Sequence, residues 1–142
     1  MRTVREILKV KGTEVWRVNP DATVFEALQR MAEKEVGALV VTEGVQVVGL
    51  VSERDYARKV ALLGRSSPTT LVSEIMVSPV VYIHLDQPIE ECMALMTEKR
   101  TRHLPVIDDG KLVGLISIGD IVKSIIADQQ FTIEQLVRYI SG

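Results

Sequence analysis

The chain has 142 residues, 46% apolar and 25% charged, with a formal net charge of -2, which suits one compact unit with a sizeable core. Only 4% of residues are aromatic, so that core must be aliphatic, and the small net charge excludes a general attraction to nucleic acid or to an anionic membrane. Cys92 is the single cysteine, so no intrachain disulfide forms, and charges break every apolar run well before about 18 residues, so neither a signal peptide nor a membrane span is expected and the cytoplasm is the expected location.

The elements follow from changes in hydrophobic period. Val4-Arg5-Glu6-Ile7-Leu8 is a short apolar lead-in, and Glu14 to Val18 reads as a strand closed by the turn Asn19-Pro20-Asp21. Thr23, with Glu26 three positions later, is a capping box opening a helix whose Val24, Ala27, Leu28 and Met31 share one face and which ends near Glu35-Val36-Gly37. Ala38 to Thr42 and Gln46 to Val51 are strands joined by a turn at Glu43-Gly44, and a helix from Glu53 to Leu63 is stopped by Gly64. Residues 65–71 read as an exposed linker, and Val72-Ser73-Glu74-Ile75-Met76 repeats the lead-in pattern. Val80 to His84 is the next strand, Ile89 to Lys99 a helix with Pro88 at its start, and His103 to Ile107 and Leu112 to Ile116 are strands about Asp109-Gly110. Gly119 to Ala127 is a helix. Thr132 with Gln135 is a further capping box, opening a short C-terminal helix in 128–142 with Ile133, Leu136, Val137 and Ile140 on one stripe.

The same unit therefore occurs twice. Gly49-Leu50-Val51-Ser52-Glu53-Arg54-Asp55 lies 65 positions before Gly114-Leu115-Ile116-Ser117-Ile118-Gly119-Asp120, and the register holds without a gap back to Asp21 and Asp86. It pairs Glu26 with Glu91, Met31 with Met96, Leu39 with Leu104, Val41 with Val106 and Val48 with Val113. The chain divides into repeat 1 (4–64), the linker, repeat 2 (72–127) and a helical extension, in one α/β module.

Each repeat places a serine and an aspartate three residues apart where a strand meets a helix. One reading is structural: Ser52 with Asp55, and Ser117 with Asp120, are helix caps worth about 1 kcal/mol each. The other is chemical: a helix N-terminus beside a serine hydroxyl attracts phosphate, and a carboxylate one turn later suits a ribose diol. The two are compatible, and spacing does not decide between them.

The duplicated strand-helix-strand-strand-helix unit, the strands Ala38-Leu39-Val40-Val41 and His103-Leu104-Pro105-Val106, and both Gly-x-x-Ser-x-x-Asp motifs resemble a tandem CBS-domain pair over residues 4 to 127. The resemblance implies two repeats packed about a pseudo-twofold axis with two clefts for adenosyl ligands, each taking its motif from one repeat and its adenine wall from the other. One cleft would use Ser117, Gly119 and Asp120 with Val36, Gly37 and Ala38, drawing on Arg102 and His103 for phosphates. The other would use Ser52, Arg54 and Asp55 with Thr101, Arg102 and His103. It further implies a regulatory module rather than an enzyme, binding AMP first, NAD or ATP next, without a required metal. It would act as a homodimer on an unidentified target protein in trans, as an energy or redox-state sensor. The alternative is a ligand-independent homodimeric scaffold.

The remaining residues have plainer readings. His84 and His103 lack a partnered ligand set, so no metal site is expected. Cys92 is expected to be a packed core thiol, and Met31, Met93 and Met96 to face the core. Trp16 is expected to pack against the core rather than stack on a ligand. No nucleophile with a base, no paired acid and base outside the capping positions and no Walker-type loop is found, so an enzyme is not the expectation.

Overall fold

The computed structural model describes residues 2–141. Helix α1 (Val4–Lys11) opens the chain. Repeat 1 follows with β1 (Arg17–Val18), α2 (Val24–Lys34), β2 (Ala38–Glu43), β3 (Gln46–Ser52) and α3 (Glu53–Tyr56), which widens into a π-helical segment over Ala57–Ala61. A 3₁₀ turn (Ser67–Thr69) and α4 (Val72–Ile75) lead to α5 (Ile89–Lys99), β4 (His103–Asp108), β5 (Lys111–Ser117) and the long α6 (Ile118–Ser141). Strands β1, β2 and β3 form one sheet, with β1 parallel and β3 antiparallel to β2, and β4 pairs antiparallel with β5.

The internal repeat is reproduced in register. Ala38 faces Ser52 as His103 faces Ser117, and the ladder slips between Val41 and Thr42 as it does between Val106 and Ile107. The hairpin turns differ because their residues do. Gly44, with φ of 60°, opens one, whereas Asp109 and Gly110, with φ of 50° and 73°, both take the left-handed conformation a two-residue type I′ turn requires. Helix α2 is capped by Thr23 Oγ1, which accepts from Glu26 N–H at 3.1 Å, one half of the expected box.

The first strand of each repeat is shorter than its sequence pattern, and in repeat 2 only Ile83 pairs, bridging to Val106. Val40 N–H donates to Trp16 C=O in repeat 1. The residue 65 positions later is Pro105, which has no N–H to donate, so repeat 2 loses that rung.

Two aliphatic cores result, and each takes its lead-in from the other end of the chain. Val4, Ile7 and Leu8 of α1 pack with Cys92, Met96, Leu104 and Ile116 of repeat 2. Val72 and Ile75 of α4 pack with Met31, Leu39, Val41 and Val51 of repeat 1. Backbone bonds hold the exchange: Val4 N–H donates to Gln87 C=O and Val72 N–H to Ala22 C=O. The lead-ins are therefore swapped between repeats rather than each serving its own.

Other expectations are corrected. The linker is not exposed throughout: Thr70 is buried, its C=O accepting from Val24 N–H at 2.8 Å at the start of α2. Met31 and Met96 are buried, but Met93 is exposed, because the buried stripe of α5 is the narrow line Ile89, Cys92, Met96. There is no separate short C-terminal helix with its own capping box. α6 runs unbroken, and Thr132 lies inside it with Oγ1 donating to Asp128 C=O at 3.0 Å. Trp16 packs against the repeat 1 core, with Lys34 Nζ 4.3 Å from its ring centroid.

Candidate functional site

Both Ser/Asp pairs form reciprocal caps. Ser52 N–H donates to Asp55 Oδ2 at 2.9 Å and Asp55 N–H to Ser52 Oγ at 3.2 Å; the same pair of bonds joins Ser117 and Asp120 at 2.8 and 3.2 Å. The loop before each second strand is tied to the same helix start, since Glu53 N–H donates to Gly37 C=O and Ile118 N–H to Arg102 C=O. These bonds fix where the carboxylates point.

The structure brings Ser52, Arg54, Asp55, Thr101, Arg102 and His103 onto one cleft of about 620 Å³ between the repeats. Gly37 is on its wall, with Leu50 and Val77 supplying apolar surface. Arg58, Lys59, Lys99 and Arg100 also line it, so six cationic side chains face two carboxylates, those of Glu53 and Asp55. Among the described residues no carboxylate pairs with Arg54, Arg58 or Arg102. Their mutual repulsion, Arg58 first and then Arg102, holds the Arg54 guanidinium below its ordinary value. An unpaired cluster of this kind in a concave site suits a ligand carrying several negative charges.

Asp120 has different surroundings. It opens onto a second cavity, of about 400 Å³, between α1 and α6, lined by Ile7, Val10, Lys11 and Lys123. Lys11 Nζ donates to Asp120 Oδ2 and to Leu115 C=O, both at 2.6 Å. Burial alone raises the Asp120 carboxyl, but the Lys11 ammonium and the Ser117 N–H more than offset it and hold the group below its ordinary range. Ala38 is buried in repeat 1 and Val36 packs on that core, while Gly119 is exposed with room for a side chain. His103, paired in the ladder with Ser117, lies between the motifs; burial first and Lys11 next lower its pKa.

A family model described as CBS domain matches the chain twice, at residues 4–62 and 72–127. This chain belongs to the CBS-domain family. The CBS domain-containing protein CBSX3, mitochondrial, of Arabidopsis thaliana is 35% identical over 150 residues, which span 99% of this chain and 72% of that protein. A solved protein with CBS domains from Burkholderia ambifaria MC40-6 is 55% identical and superposes with a TM-score of 0.86, covering 90% of this chain and 96% of its own. The CBS pair of protein MJ0100 shares the fold at 21% identity, with a TM-score of 0.79 over 90% of this chain and 98% of its own, and was solved in complex with 5′-methylthioadenosine and S-adenosyl-L-methionine.

Within this CBS pair, the residues that sequence reasoning passed over are Lys59, Leu50, Val77 and Lys11. Lys11 was visible only as a charge in the last turn of a lead-in, because its approach to Asp120 depends on the swap. Cys92 is buried, and burial pushes its thiol up to about 11, so it is a core residue without nucleophilic character. Among the described residues no group of three or more His, Cys, Asp and Glu side chains is placed to hold a metal ion, and no helix is long and apolar enough to cross a membrane.

Proposed function

We propose that this chain is a regulatory module that binds a phosphorylated adenosyl nucleotide, AMP before NAD or ATP, in the cleft of Asp55. The observation that carries the reading is the unpaired Arg54, Arg58 and Arg102 facing a helix start whose Ser52 and Asp55 are fixed by reciprocal bonds. The arginines suit phosphates, and Asp55 Oδ1, whose one ion-pair contact among the described residues is Lys59 Nζ at 3.5 Å, is left to accept from a ribose hydroxyl. Adenosyl ligands in the CBS pair of MJ0100 support the ligand class but lack phosphate, so the arginines are the argument for a nucleotide. Such a module transforms nothing. It signals when ligand-bound and free forms differ in affinity for a target protein, which it meets in trans as a homodimer in the cytoplasm, reporting energy or redox state.

Titration calorimetry of the ligand-free protein with AMP, ATP, NAD and S-adenosylmethionine tests this. Saturable binding of AMP, weakened at least tenfold in Asp55→Ala and in Arg102→Ala, is expected. Folded protein that binds none of the four would instead favour a ligand-independent scaffold and leave both motifs as helix caps.

A further inference from the structure

The two motifs share the serine, the aspartate and the reciprocal backbone caps, and Ser52 Oγ also donates to Asp55 Oδ2 at 3.0 Å, yet an ammonium stands closely against only the second. At Asp120 the Lys11 ammonium stands 2.6 Å from Oδ2, the oxygen that also accepts from Ser117 N–H, and is held there by Leu115 C=O. At Asp55 the nearest ammonium is that of Lys59, 3.5 Å from Oδ1 and committed to Ile75 C=O at 2.9 Å. The difference originates in the swapped lead-ins. Lys11 ends α1, which packs on repeat 2; the residue at the corresponding place after α4, in the register that pairs Val4 with Val72, is Pro79, which carries no charge.

A carboxylate binds a diol through charge-assisted hydrogen bonds, and their strength depends on the carboxylate's charge being uncompensated. We infer that Lys11 determines which motif takes ligand: by engaging Asp120 it makes the second cleft the weak site and leaves the Asp55 cleft to fill first. Ligand at Asp120 must displace an ammonium that has two oxygen partners. Because the Lys11 side chain is 34% exposed and finds water when displaced, the effect is graded rather than absolute, of the order of fivefold to tenfold in affinity. Lys11 thus separates the two affinities and lets one chain respond over two ranges of nucleotide concentration.

The inference rests on the reading of the Asp55 cleft as a nucleotide site, and its test keeps the two apart. AMP binding to the wild-type chain is measured first; no binding there overturns both. Asp55→Ala then isolates the Asp120 site, and Lys11→Met, which keeps the apolar stem, is added to it. Five- to tenfold tighter AMP binding in the double variant than in Asp55→Ala is expected. Equal binding, or weaker binding as a phosphate contact by Lys11 would give, overturns the inference. A thermal melt of each variant verifies folding.

Discussion

His103 shows how much one side chain's surroundings decide. Its imidazole is held among Lys11, Asp120, Arg102 and Asp55, and burial is the largest cause of its lowered pKa. The folded state therefore binds fewer protons than the unfolded state between the folded value and the unperturbed value of about 6.5. Its contribution to stability is complete above about pH 6.5 and is lost as pH falls through that window. Chemical denaturation should give a smaller unfolding free energy at pH 5.5 than at 7.5, with a shallower difference in His103→Gln; equal slopes would show that other groups set the dependence. Gly49 illustrates steric rather than electrostatic control. A Cβ there would meet Met76 Sδ at 2.5 Å and Met76 Cβ at 3.2 Å, and at the equivalent Gly114 it would meet Leu8 Cδ2 at 2.7 Å. Gly49→Ala should cost about 1–3 kcal/mol by overpacking, measured by urea denaturation, because the contact with Met76 Cβ, unlike that with Sδ, is not relieved by turning the side chain.

At the scale of elements, the exchanged lead-ins make each core depend on a distant part of the chain. Truncating Ile7, which is 5% exposed in the repeat 2 core, should destabilise the protein by about 2–5 kcal/mol. Hydrogen exchange should then quicken first at Leu104, Val106 and Ile116 rather than at Leu39, Val41 and Val51. The reverse order would mean that α1 serves the repeat that follows it in sequence. Local pattern made the strands, helices and hairpins of both repeats legible, since a two-residue or a 3.6-residue period is carried by adjacent residues. The swap was not legible, because Val4-Ile7-Leu8 and Val72-Ile75-Met76 are similar stripes and nothing in a stripe names the core it covers. The missing rung of repeat 2 is legible in the sequence, since Pro105 stands in register with Val40 and has no N–H. The continuous α6 was obscured by competing signals: Thr132 and Gln135 look like a cap, yet no glycine or proline between Ile118 and Ser141 after Gly119 interrupts the helix. The Ser/Asp motifs and Arg102-His103 were legible because duplication marks them. Lys11 became part of the site only through tertiary packing.

At the scale of the molecule, the free half of α6 calls for a partner. From Gln129 to Ser141 every residue is exposed, including Phe131, Ile133, Leu136, Val137, Tyr139 and Ile140. A helix of about a dozen residues is marginal in water on its own. Val122, Ile126, Gln129, Ile133, Leu136 and Ile140 follow one another at alternating spacings of four and three, placing isoleucine at every a position and leucine at one d position, the pattern of paired helices. Glu134 and Arg138 leave the free half electrically neutral, so its pairing with a second copy meets no charge repulsion. Sedimentation equilibrium should find a dimer, and Ile133→Glu with Leu136→Glu should weaken it by about a hundredfold or more, since burying one such side chain is worth about 1.5–3 kcal/mol. Circular dichroism of the variant should lose about a dozen residues of helix as the freed segment unwinds. A wild-type chain that sediments as a monomer with full helix content would show that α6 stands without a second copy. Retained AMP affinity in the variant would place the nucleotide site within one chain, so that dimerisation serves the reading of the signal rather than its reception.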